Sequence, residues 1–304
     1  MHNKHTRHSE LFTQGDIFIS QINKEKTLLS IFYGIISAAT WGAADFIGGI
    51  ATKRTSAYRV LFLAEIAGLV PFTALALLTH EPLPPFTDLL WGALASLLGL
   101  GGLIFLYRAL ADGQMTIAAP VSALLAAFVP VLFGLFTLGV PSFTTILGFG
   151  LAFGAVWLIS QTDSTNLRFT FSDLRLPLLS GIFFGCYFVL LHQATLHAFY
   201  WVLVAARFAG FIALGLYALI TRQPALPPRE LWGYSMINGV IDIAGNAFFV
   251  LSAQTGRMDV AAVLGALYPA STVFLAAILL KERITRIQAL GIALAFIAIV
   301  LFTI

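Results

Sequence analysis

The stretch AEIAGL, residues 64–69, returns in altered form as ARFAGF, residues 206–211, and this repetition decides the fold. Each copy sits inside an apolar run, and other landmarks recur around it in the same order. THEPLPP (79–85) matches TRQPALPP (221–228), DLLWGA (88–93) matches RELWGY (229–234), and GQMTIAA (113–119) matches GRMDVAA (256–262). Gly68 and Gly210 lie 142 positions apart, Trp91 and Trp232 lie 141 apart, and Met115 and Met258 lie 143 apart. Co-linear polar and glycine landmarks at one spacing mark a duplicated unit rather than chance likeness among apolar segments.

The unit is a membrane unit. Of 304 residues, 59% are hydrophobic and only 10% charged, and the mean hydropathy is +0.91, far from the roughly 25% charged composition of soluble domains. Ten segments reach or approach the ~20 apolar residues that cross a bilayer: 28–50, 57–79, 88–111, 115–138, 142–160, 176–196, 199–221, 230–253, 259–280 and 284–303. The expected fold is an all-α integral membrane protein with ten transmembrane helices in two five-helix repeats, 27–162 and 176–304, joined by a linker at 163–175. Five crossings are an odd number, so the second copy enters from the opposite face and the repeats are inverted, the architecture of alternating access. Residues 1–26 read as a polar, solvated tail without the apolar core of a signal peptide. Within it Leu11, Phe18, Ile19 and Ile22 fall near one helical face, and His2, His5 and His8 recur every three residues.

Beyond the repeat, particular motifs carry a resemblance. ATWGAADFIGGIATK (39–53) has Trp41, Gly42 and a later Lys53; LVAARF (203–208) carries Arg207; LYPASTVFLAAILLKERITRIQALGIAL (267–294) sets Pro269 before Glu282 and Gly291. From about Thr27 to Ile304 the chain resembles the EamA-type members of the drug/metabolite transporter superfamily. That resemblance implies ten helices in two repeats around a central cavity, and a secondary transporter of small metabolites such as amino acids, often an exporter. The first copy departs from the motif: Gly139 stands where Glu282 stands in the second, and Glu65 where Arg207 stands.

Ionisable residues inside the apolar segments are candidates for function. Asn238, Asp242 and Asn246 recur every four residues, so they share one helical face. An Asp at the bilayer centre costs about 2.5–3.5 kcal/mol on insertion scales and turns toward the bundle interior. The stripe can line a cavity that orients a solute or holds a proton, with both amides donating to Asp242; it can equally be helix-joining glue. Its first-repeat matches read as Leu97, Gly101 and Phe105. Asp45 matches His192 and Glu65 matches Arg207, opposite characters at equivalent positions. Glu65 and Arg207 each lie eight residues into their segments, ~12 Å deep at 1.5 Å per residue. Measured from opposite faces of a core of about 30 Å, their heights differ by only ~6 Å, which predicts a cross-repeat ion pair.

Other signals point away from chemistry. GxxxxGK is missing from the sequence, GFGLAFG (148–154) lies inside an apolar helix and reads as close packing, and no HExxH pattern occurs. Cys186 stands alone, so no intrachain disulfide or cysteine metal site forms. No cofactor, metal or nucleic acid is expected; the partners are a small-molecule solute and membrane lipid. Pro71, Pro120, Pro130 and Pro269 lie inside helices and permit kinks. Lys281, Glu282, Arg283 and Arg286 read as an interfacial anchor. Odd-numbered loops carry eleven basic residues against five on the side of the termini, which favours termini outside, whereas the resemblance implies termini in the cytoplasm. A proton-coupled or exchange-type carrier stands first, on the inverted repeat and the membrane-buried acids; a passive facilitator is the alternative, and a polytopic enzyme the weakest fit. The bacterial inner membrane is the expected location.

Overall fold

The computed structural model describes residues 3–111, 115–161 and 174–304, and the side chains among them from Gln21 onward except at 107, 110, 111 and 115–117. The described residues form helices and no strand. In chain order these are α1 (Asn3–Thr52), α2 (Ala57–Leu78), α3 (Phe86–Ala111), α4 (Met115–Thr137), α5 (Phe143–Ile159), α6 (Arg175–Ala194), α7 (Tyr200–Thr221), α8 (Trp232–Thr255), α9 (Met258–Gly265), α10 (Tyr268–Leu279) and α11 (Arg286–Phe302). Eight are long and apolar enough to cross a membrane, with α9 and α10 taken together as Met258–Leu279; α5 and α11 are apolar but 17 residues each.

Two features depart from the sequence reading. Where the sequence reads as a polar, solvated tail, residues 3–26 are helical: α1 runs unbroken from Asn3, and the stretch holds a single glycine, Gly15, and no proline to stop it. The histidine triplet and the apolar face of Leu11, Phe18 and Ile19 lie outside the described side chains. The ninth segment is broken between Gly265 and Tyr268, because Pro269 lacks an N–H and its ring collides with the carbonyl four residues back, that of Gly265. Pro71, Pro120 and Pro130 stay inside continuous helices.

The repeat is legible in the helix ends. Left-handed backbone occurs at His80 and Arg222, 142 positions apart, and at Gly139 and Lys281, also 142 apart. Ser142 and Thr285, 143 apart, cap α5 and α11 through their side-chain oxygens. The second copy therefore has one extra residue between those points, and the partner of Gly139 is Lys281 rather than Glu282. Packing obeys the same exchange: α1 packs on α8 as α6 packs on α3, α2 on α8 as α7 on α3, and α9–α10 on α1 as α4 on α6. α2 and α7 pack on each other, as do α5 and α11, so each pair flanks the axis that relates the halves.

Side-chain hydrogen bonds set the register of these contacts. Ser37 Oγ donates to Gly245 O at 2.8 Å, and Ser180 Oγ donates to Gly102 O at 2.9 Å. Both the donors and the acceptors lie 143 positions apart, so Asp45 is matched by Phe188 and not by His192. By the same register Asn238, Asp242 and Asn246 are matched by Ala95, Gly99 and Leu103. Along α1 and α8 the bonds recur every seven residues in opposite directions: Ser30 with Ser252, Ser37 with Gly245, and Ala44 with Asn238. The connections also cross between halves. Glu81, after α2, accepts the backbone N–H groups of Phe199, Tyr200 and Trp201 at the start of α7, where a carboxylate meets the positive end of the helix dipole. The connection after α7 returns the contact, accepting from Tyr58 and Arg59 at the start of α2.

Candidate functional site

Between the two halves lies a cavity of about 200 Å³. Its walls come from both copies: Trp41 and Asp45 of α1, Glu65 of α2, Ser96, Gly99 and Leu103 of α3, Ala123 and Ala126 of α4, Phe184, Tyr187 and Phe188 of α6, Arg207 of α7, Asp242 and Asn246 of α8, and Ala266 and Tyr268 at the α9–α10 break. α5 and α11 contribute none of the lining residues.

The charged centre is built where α2 crosses α7. Arg207 Nη1 lies 3.3 Å from Glu65 Oε2, with both side chains almost entirely buried. A glycine makes room for the charge on one side: a Cβ on Gly210 would meet Glu65 Cδ at 2.8 Å, whereas one on Gly68 would be tightest against Gly239 O of α8, at 3.1 Å, with Arg207 Cδ at an ordinary 3.5 Å. Each glycine follows the charged residue by three positions, so AEIAGL and ARFAGF share Gly and differ in charge. Arg207 has a second carboxylate, since its Nη2 donates to Asp242. Asp242 is about a third exposed, on the cavity side. One guanidinium thus joins α2, α7 and α8.

The stripe divides by position. Asn246 lines the cavity and its Oδ1 accepts from Trp41 Nε1 at 3.0 Å and from Tyr187 Oη at 2.8 Å. Asn238 does not line it: its Nδ2 donates to Ala44 O at 2.6 Å, the third rung of the α1–α8 ladder. The expectation that both amides donate to Asp242 is therefore corrected. In a desolvated setting a carboxylate gains more from a guanidinium than from an amide, and the amides are taken up by other helices. Asp45 is exposed to the cavity. His192 sits in the last turn of α6, away from the lining, and the structure does not bring it to Asp45.

The motif residues have distinct places. The Trp41 ring fits against Gly245 and Gly265, where added Cβ atoms would fall at 2.5 and 2.7 Å, and stacks on Phe188 at 5.3 Å. Gly42 packs on the Tyr268 carbonyl at the helix break, 2.5 Å from where its Cβ would be. Pro269 makes that break. Lys53 and Glu282 are exposed beyond the ends of α1 and α10, outside the cavity. Sequence reasoning missed Tyr187 and the aromatic wall beside it; a phenol hydroxyl within the apolar run GIFFGCYFV needed a buried partner, and that was the available signal. Among the described residues no cluster of His, Cys, Asp and Glu could hold a metal ion.

Known proteins share this architecture. A solved crystal structure superposes with a TM-score of 0.73 over 90% of this chain and 98% of its own, at 17% identity, a likeness of fold alone. An uncharacterized protein of Methanocaldococcus jannaschii is 27% identical over 131 residues, which is 42% of this chain and 94% of that protein, about the length of one repeat. The model of the EamA-like transporter family matches twice, over residues 28–161 and 174–304. Matched along nearly its whole length, this multi-pass membrane chain belongs to the EamA-like transporter family.

Proposed function

We propose that the protein is a secondary transporter that exports a small solute across a bacterial inner membrane by alternating access, coupled to protons. The observation that carries this reading is the cavity between the two repeats, with Arg207 held between Glu65 and Asp242 at its centre. All ten apolar segments cross the membrane, five per repeat, and the odd number inverts the second copy. The short α5 and α11 cross at the periphery, where slight thinning of the bilayer accommodates them at modest cost.

In this mechanism Asp45, Asp242 and Asn246 meet the solute or the proton, and the Glu65–Arg207 pair ties the repeats together across the axis. A proton on Asp242 removes one of the two anions that hold Arg207. The guanidinium then rests on Glu65 alone, and the α7–α8 contact weakens while α2–α7 persists. That is a differential interaction of the kind a two-state transporter requires. Purified protein in sealed proteoliposomes, loaded with a panel of metabolites, should show flux that rises with an imposed pH gradient. Flux indifferent to the gradient would leave a passive facilitator, and no flux of any solute would end the transport reading.

A further inference from the structure

We propose that the cavity takes a small solute bearing a positive charge on an aromatic or apolar body, with Asp45 as its counter-ion. The inference rests on the transport reading for why a solute enters, and on the cavity's charge and walls for which kind does.

Among the described residues four acidic or basic side chains line the cavity: three carboxylates and one guanidinium. Arg207 is already answered from within the protein, by Glu65 at 3.3 Å and by Asp242. Asp45 is not. It is exposed to the cavity, and among the described residues it makes no hydrogen bond or ion pair. Its backbone is held in place, because the neighbouring Ala44 carbonyl accepts from Asn238 at 2.6 Å. Asp45 also lies within the electrostatic reach of Asp242. With all four groups ionised the cavity carries an excess of two negative charges. An anionic solute would have to displace a carboxylate from Arg207 and then sit beside the remaining ones, whereas a cation is attracted by every unanswered charge present.

The walls point the same way. The repeat mate of Asp45 is Phe188, which also lines the cavity, stacks with Trp41 at 5.3 Å and meets Tyr187 in a tilted pair at 5.3 Å. An acid on one wall and ring faces on its symmetry-related wall suit a molecule with a cationic end and an apolar body, since ring faces attract cations and bury apolar surface alike. At about 200 Å³ the cavity is smaller than the roughly 300–1,000 Å³ typical of sites for drug-sized ligands, which restricts the solute to small molecules.

The test uses the full-length protein in detergent and four probes of similar size: phenethylammonium, phenyltrimethylammonium, neutral 3-phenylpropanol and anionic 3-phenylpropionate, with binding measured by calorimetry. Both cations should bind at least tenfold more tightly than the alcohol, and the carboxylate should bind more weakly still. Asp45→Asn should weaken the cations by tenfold or more and leave the alcohol within twofold, while Asp45→Glu should keep the preference for cations. The ranking of probes is read on the unaltered protein, so it stands even where a variant folds poorly. The proposal is overturned by equal or tighter binding of the alcohol or carboxylate, by cation binding unchanged in a folded Asp45→Asn protein, or by no binding of any probe. The same probes in proteoliposomes separate the two readings. Asp45-dependent cation binding without flux removes transport and leaves the solute class; flux without cation preference does the reverse.

Discussion

Arg207 is the residue on which the centre of the molecule turns, because it satisfies two carboxylates from two other helices. Removing one partner of a buried pair typically costs about 3–5 kcal/mol, since a bare charge is left behind. Glu65→Arg and Arg207→Glu should therefore each lower folded yield sharply. Reversing the pair should recover only part of the loss, because the carboxylate introduced at position 207 then faces Asp242. Adding Asp242→Asn to the double swap should recover more. Yields from size-exclusion profiles check the series, and a double swap as good as the parent would show that Asp242 does not share the site. Asp242→Asn alone should insert and fold yet lose gradient-driven flux in proteoliposomes; full flux would remove Asp242 from the mechanism. Asn238→Leu should behave differently, lowering the melting temperature without changing solute affinity, because that amide bonds α1 rather than the cavity.

At the scale of elements, the close crossings depend on glycines whose substitution has graded consequences. A Cβ at Gly210 would fall 2.8 Å from Glu65 Cδ, so Gly210→Ala must displace the carboxylate and should cost about 1–3 kcal/mol, in the range of overpacking a core. Gly215, five residues along the same helix, meets only Phe62 at an ordinary 3.5 Å. Gly215→Ala should be neutral or slightly stabilising, since Ala favours a helix interior by about 1 kcal/mol over Gly. Thermal melts in detergent would compare the two, and equal losses would show that the Glu65 contact is not what Gly210 protects. At the start of α11, Thr285 and Gln288 form a reciprocal capping box. Thr285→Ala should cost about 1 kcal/mol there.

For the whole molecule, the α1–α8 contact that joins the two halves invites a direct test. On the side where α1 begins and α8 ends, Ser30 and Ser252 exchange hydrogen bonds with each other's carbonyls, and their hydroxyls lie 3.4 Å apart. In the proposed alternating access one end of the α1–α8 contact parts while the cavity empties. With Cys186→Ser as background, Ser30→Cys with Ser252→Cys should cross-link on oxidation, halt flux and recover it on reduction. Flux that continues through a fully cross-linked protein would show that this contact never opens. Reporters at Met1 and Ile304 that label from one face only should label from the same face; labels on opposite faces would sink the ten-span arrangement.

The sequence by itself determined the membrane class, the duplication and the candidate charges, because hydropathy is a sum over neighbouring residues and the copies keep their landmarks in order. AEIAGL and ARFAGF also held the meeting of Glu65 with Arg207, since copies read as inverted place the two residues at similar depths. What only the tertiary structure decided was register and partnership. Asp45 is matched by Phe188 because Ser37 and Ser180 bond equivalent carbonyls on opposing helices. Asn238 and Asn246 share a helical face, yet one bonds Ala44 and the other meets Trp41 and Tyr187. A four-residue spacing establishes a common face but not the neighbour opposite each position. That neighbour depends on how two helices slide past one another, and the contacts that set the slide join residues more than a hundred positions apart.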